Sequence, residues 1–197
     1  MIYTRNYQDL EERLSANLNT EDLAQVRRAY EVAEQAHTGQ MRDEGTAYIV
    51  HPVRVAVSLV DELEIYSPKL ICSALLHDVI EDSPMTREEV AKMFDEEIAQ
   101  IVWLLTKFDG VPLDEYLSAI EEASETGAPI VKLCDRLDNL RFLSHSPKLE
   151  KKRRYIRSTE YFYLPLARRT NEYLHKELNR WLDFVRQEVE DATDDLH

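Results

Sequence analysis

Apolar positions along this chain recur three and four residues apart, the spacing of helices that bury one face. Val26, Ala29, Tyr30, Ala33 and Ala36 make one such stripe, opened by a cap at Thr20 or Asp22 and closed near His37-Thr38-Gly39. A second stripe runs from His51-Pro52 through Val53, Ala56, Val57 and Val60, with Pro52 in the first turn, where its missing N–H costs nothing. Ser67 as N-cap and Pro68 behind it predict a helix over 67–82, with Leu70, Ile71, Ala74, Leu75 and Val79 on one side. Thr86 and Glu89 form a capping box, Asp95 opens a helix up to Thr106-Lys107, and another spans Pro112 to Ser124. Ala128 to Leu143 is apolar on one side, a basic run at 151–154 leads into Tyr155 to Arg169, and a last helix covers Asn171 to Val189. Pro165 ends or kinks its segment. Residues 1–19 read as an irregular lead-in or short helix, and the acidic end from Glu188 as a fraying tail. The expected fold is all-α, a single domain over 1–197 built as a bundle of about eight to ten helices, its core between about 20 and 190.

Composition supports that class, with only 4 Gly and 7 Pro against 31% charged residues. A formal net charge of -14 argues against a nucleic-acid binder or a basic membrane-surface protein. Cys72 and Cys134 lie in apolar helical stretches and read as reduced core residues. The N-terminus, MIYTRNYQDLEE, has no apolar signal core, and no run approaches membrane-spanning length. The expectation is a cytoplasmic protein.

The chemistry concentrates at Leu75-Leu76-His77-Asp78-Val79-Ile80-Glu81-Asp82. On a helix, residues four apart share a face, so His77 stands over Glu81 and Asp78 over Asp82. His77-Asp78 can grip one metal ion, with Glu81 and Asp82 as acid/base groups one turn on. A divalent cation offsets the cost of burying neighbouring carboxylates; the alternative is an exposed, merely acidic helix end. A second charged cluster, Lys132, Asp135, Arg136, Asn139 and Arg141, sits in the apolar helix 128–143. Asp135 there serves either a ligand or an ion pair with Arg136 or Arg141. Together His51, His77, Asp78 and Asp135 make a mixed nitrogen/oxygen donor set suited to manganese, iron or zinc rather than calcium.

These residues form the pattern of the HD metal-dependent phosphohydrolases. More narrowly, the chain resembles the hydrolase domain of RelA/SpoT-type alarmone enzymes and their stand-alone form, the small alarmone hydrolases. The matching segments are AHTGQMR (36–42), YIVHP (48–52), ALLHDVIED (74–82), LLTK (104–107), KLCDRLDNLR (132–141) and TEYFYLPLA (159–167). The resemblance implies a 3′-pyrophosphohydrolase of (p)ppGpp-type nucleotides. His51, His77, Asp78 and Asp135 would be the ligands of one Mn²⁺, and Glu81 and Asp82 would activate water and move protons. The same resemblance puts Asn139 near the ribose, Arg42 beside the base, and Arg157 and Tyr161 near phosphates and nucleoside.

Three places depart from the family: Asp43-Glu44 after Arg42, Asp138 for a common His, and Phe142 for a frequent Thr. All lie where base and sugar would be held, which makes an adenosine alarmone a candidate beside guanosine. Arg42, Lys107, Lys132, Arg136, Arg141 and the stretch 148–157 would supply a positive island for an anionic substrate. The expected partner is a small-molecule nucleotide, with a homo-oligomer left open. The alternatives are a nucleotide or NADPH phosphatase releasing orthophosphate, and a non-catalytic alarmone-binding module.

Overall fold

A computed structural model describes residues 6–194. Every regular element among them is a helix, and one isolated bridge, Met41 with Ala47, pins the loop ahead of the third helix. The chain runs α1 (Tyr7–Ser15), α2 (Thr20–Ala36), α3 (Val50–Asp61), α4 (Pro68–Leu76), α5 (Val79–Asp82), α6 (Arg87–Met93) and α7 (Glu96–Leu105). It continues as α8 (Leu113–Glu122), a 3₁₀ turn (Ser124–Thr126), α9 (Ala128–Leu143), α10 (Leu149–Ser158), a π turn (Thr159–Tyr163), α11 (Leu164–Thr170) and α12 (Glu172–Asp194). No helix among the described residues is long and apolar enough to cross a membrane.

Local rules account for most of the ends. Ser67, Thr86 and Asp95 cap α4, α6 and α7 with their side chains, Thr86 and Glu89 closing a capping box. The cap of α2 is Asn19 rather than Thr20 or Asp22, because its side chain takes the Asp22 N–H at 2.9 Å. The 1–19 segment contains a capped helix, with Leu10 and Leu14 fully buried, so the core begins before residue 20. The last helix runs on past Val189 to Asp194, while residues 1–5 and 195–197 lie outside the described residues.

The centre of the packing is α4, which lies against α2, α3, α7 and α9 and buries Ile71 to Leu76 without exception. Cys72 and Cys134 are free and buried there. The approach of α9 to α4 is set at Gly127, whose φ of +84° suits only glycine and where a Cβ would stand 2.7 Å from Leu70 Cδ2. Pro165 neither stops the chain nor leaves the helix regular. It cannot donate to a carbonyl one turn back, and the wider turn just before it closes with the Leu164 N–H on Thr159 O.

The predicted helix over 67–82 is two segments, broken at His77-Asp78. The His77 Nδ1 contacts the Ala74 carbonyl at 2.8 Å, the acceptor that an unbroken helix would offer to the Asp78 N–H. The break turns both side chains out of the α4 stripe towards α3 and α9, so the site owes its shape to this interruption.

Candidate metal centre

Three segments bring the ionisable cluster together. His51 stands in the first turn of α3, His77 and Asp78 in the break between α4 and α5, and Asp135 midway along α9. His51 Nε2 lies 3.1 Å from Asp135 Oδ1 and 3.8 Å from Asp78 Oδ2. His77 Nε2 lies 3.0 Å from Asp78 Oδ2 and 3.8 Å from Asp135 Oδ1. One donor atom each from His51, His77 and Asp78 falls within 4.8 Å of the others, and Asp135 closes the remaining side. These residues could hold a divalent cation.

The fit can be tested on His77. Its ring is fully buried, its Nδ1 is engaged by Ala74, and its Nε2 has no hydrogen-bond partner despite the nearby carboxylate. A buried nitrogen without a partner carries a desolvation cost that a coordinated ion removes. The electrostatics point the same way. Burial lowers the His77 pKa, but the carboxylates of Asp78 and Asp135 more than reverse this and leave it raised to about 9. The spot therefore favours positive charge. Burial likewise opposes ionisation of Asp78 and Asp135, yet both stay well below the carboxylate range, Asp78 through His77 and Asp135 through Lys132.

Around this cluster a second layer fixes each group. His51 Nδ1 meets Asp138 Oδ2 at 2.7 Å, Tyr48 donates its O–H to Asp78 Oδ2 at 2.7 Å, and Asn139 donates to Asp135 Oδ1 at 2.6 Å. Lys132 Nζ lies 2.9 Å from Asp135 Oδ2, so the buried aspartate is paired with Lys132 rather than Arg136 or Arg141. Such outer contacts orient ligands and set the imidazole tautomer. His37 anchors its loop, its Nδ1 3.0 Å from Gln40 Oε1 and its ring against Tyr48.

His51, Asp78 and Asp135, but not His77, line a cavity of about 380 Å³ whose lining also includes Arg42, Tyr48, Glu81, Lys107, Lys132, Arg136, Asn139 and Lys151. Five cationic side chains thus face one cleft of a chain with net charge -14. Arg136 is clamped between Tyr155 and Tyr163, its guanidinium carbon 4.5 and 3.8 Å from their ring centroids. Its Nη1 is buried without a hydrogen-bond partner, and the residue lines the same cleft. Glu81 lines the rim and accepts the Lys107 backbone N–H at 2.8 Å. Asp82 stands exposed beside it, near Tyr48, outside the lining itself. Burial and the charge of Asp78 push both carboxyls up, against the Lys107 N–H in the case of Glu81.

Not all expected residues gather here. Arg157 and Tyr161 are exposed and do not line the cleft, and the aromatic walls are Tyr116, Tyr155 and Tyr163 instead. Arg141 is turned away and forms a two-pronged pair with Glu62, at 2.6 and 2.7 Å. It lines a separate cavity of about 730 Å³ with Tyr173, Trp181 and Phe184. Tyr48 sits inside YIVHP, but nothing in the apolar period marks it as a partner of Asp78.

The model of the HD domain matches residues 29–171 of this chain. The chain belongs to the HD-domain family. Dependence on a divalent metal goes with that family and matches the His51–His77–Asp78 set. Among curated relatives, the bifunctional (p)ppGpp synthase/hydrolase SpoT of Escherichia coli K12 is 34% identical over 172 residues, 83% of this chain and 24% of SpoT. A guanosine-3′,5′-bis(diphosphate) 3′-pyrophosphohydrolase of Aquifex aeolicus is 35% identical over 164 residues, 80% of this chain and 23% of that protein. This HD-domain chain thus spans about a quarter of the length of the curated relatives it matches. A solved structure of a metazoan ortholog of SpoT, described as hydrolysing ppGpp and acting in starvation responses, superposes with a TM-score of 0.71 at 27% identity. That likeness covers 81% of this chain and 94% of the other.

Proposed function

We propose that this chain is a Mn²⁺-dependent 3′-pyrophosphohydrolase of guanosine or adenosine 3′-diphosphate alarmones, (p)ppGpp or (p)ppApp. The observation that carries the reading is the His51, His77, Asp78 and Asp135 cluster beside a cleft where Arg42, Lys107, Lys132, Arg136 and Lys151 stand among four carboxylates, Asp43, Asp78, Glu81 and Asp135. In this reading those four side chains are the metal ligands. When bound, the ion makes water acidic enough to attack near neutral pH and offsets charge on the phosphoryl oxygens. The bond between the ribose 3′-oxygen and the diphosphate breaks; water supplies hydroxide to phosphorus and a proton ends on the 3′-oxygen.

The protein's own groups divide the remaining work. Glu81, held at the rim by the Lys107 N–H, and Asp82 next to it take up and return protons, and their raised pKa brings them closer to working pH. Lys132 and Arg136 receive the diphosphate, Arg136 offering its unpartnered Nη1. Arg42 and Asn139, joined by a 3.0 Å bond, meet the nucleoside side. Arg157 and Tyr161, exposed and outside the lining of the cleft, have no role in this reading.

The test is incubation of the pure chain with ppGpp and ppApp, with and without Mn²⁺, and separation of the products. Release of pyrophosphate and a 5′-nucleotide from at least one of them, only with metal, is the expected outcome. Orthophosphate as the released anion would replace the reading with a phosphatase. No release from either by a metal-loaded chain would leave a binding module.

A further inference from the structure

Arg54 stands three residues after His51 in α3, is buried, and takes no part in the reaction described above. Its Nε donates to Asp138 Oδ1 at 2.7 Å and its Nη2 to Asp138 Oδ2 at 3.1 Å, a two-pronged grip on one carboxylate. The same Oδ2 meets His51 Nδ1 at 2.7 Å. In the other direction Arg54 Nη2 reaches Glu44 Oε1 at 3.3 Å, an oxygen that also accepts from Arg42 Nε at 3.3 Å. The guanidinium carbon lies over Phe142, 3.5 Å from the ring centroid. Glu44, Asp138 and Phe142, three of the residues at which the sequence leaves its family pattern, all touch this one arginine.

We propose that Arg54 is a positioning residue that sets the metal-facing imidazole. A carboxylate gripped by a two-pronged guanidinium is held in one orientation, and Phe142 packs against that guanidinium. Asp138 so held accepts the His51 Nδ1 proton and leaves Nε2 as a lone pair turned to the cluster. Through Glu44 the same guanidinium ties that ring to the loop that carries Arg42. Glu44, Asp138 and Phe142 are then held together by one side chain, an arginine–aspartate brace behind His51.

Because this role rests on the metal site proposed above, the test reads metal affinity as well as turnover. Mn²⁺ is titrated calorimetrically into the metal-free chain and into Arg54→Ala, Arg54→Lys, Asp138→Ala and the Arg54→Ala/Asp138→Ala double variant. Arg54→Ala and Asp138→Ala each weaken binding by about 10–100-fold, the size seen for outer-shell partners of metal ligands. The double variant binds no more weakly than Asp138→Ala alone, since Arg54 acts through that carboxylate. Arg54→Lys keeps the buried charge, and hence the fold, but offers no fork, so it falls between wild type and Arg54→Ala. Glu44→Gln leaves Mn²⁺ affinity in place and raises KM, the mark of the second arm. Wild-type affinity in both Arg54 variants, or losses that add in the double variant, overturns the role. A wild-type chain that binds no Mn²⁺ overturns the metal site and this role together, whereas one that binds it without releasing pyrophosphate overturns the activity alone.

Discussion

His77→Asn yields a folded chain that no longer retains Mn²⁺ and releases pyrophosphate more slowly by at least about 10⁴-fold, because the pKa of water then rises from about 7 back towards 15.7. The choice of Asn matters. His77 uses its two nitrogens for different ends, Nδ1 towards the Ala74 carbonyl and Nε2 towards the cluster. An Asn amide nitrogen overlies Nδ1 and keeps the contact that breaks the helix, while nothing overlies Nε2. The substitution thus removes a ligand without relieving the α4–α5 break. Metal content by emission spectrometry, a thermal melt and the rate of pyrophosphate release form the measurement. A variant that keeps both its Mn²⁺ and its rate removes His77 from the site.

Glu81→Gln behaves differently. The rate falls by about 10²–10⁴-fold, the worth of a positioned proton-transfer group, while Mn²⁺ stays bound. Gln is close to isosteric and its carbonyl still accepts the Lys107 N–H that now ends on Glu81 Oε2, so the rim keeps its shape. The contrast with His77→Asn lies in the metal: one variant loses ion and rate together, the other loses rate alone. Asp82→Asn follows Glu81→Gln in direction with a smaller loss, since Asp82 is set back from the lining of the cleft. Loss of Mn²⁺ from Glu81→Gln would make Glu81 a ligand instead.

What the sequence revealed was mainly what is local. Ser67-Pro68, Thr86 with Glu89, and Asp95 mark their helix starts through side chains that reach three residues along, and Ala128–Leu143 has the bounds its apolar pattern gives. The break at His77 is illegible in the period, because the apolar stripe runs unbroken through it and the ring's contact with the Ala74 carbonyl leaves no mark there. The π turn before Pro165 has a similar effect on the cleft. The wider turn shifts which of its side chains face inward, and Tyr163 lines the wall while Tyr161 stands 65% exposed.

The acidic composition told in the same incomplete way. Within a net charge of -14, Arg42, Lys107, Lys132, Arg136 and Lys151 gather in one cleft, among Asp43, Asp78, Glu81 and Asp135. Asp43, which reads as a hostile charge beside the base site, is taken up by Lys148 and Lys151 at 2.8 and 2.7 Å, and those lysines hold its carboxyl well below the usual range. Glu44 and Asp138 both pair with Arg54, with Arg42 also on Glu44 and His51 on Asp138. Their partners lie far along the chain or on another turn, where no short motif can name them.

The most direct test of the central claim is a crystal grown with Mn²⁺ and measured for anomalous scattering at the manganese edge. One peak in coordinating contact with His51 Nε2, His77 Nε2 and the carboxylates of Asp78 and Asp135 is the result predicted. A fully occupied peak elsewhere, with these four side chains still pressed on one another, would contradict it.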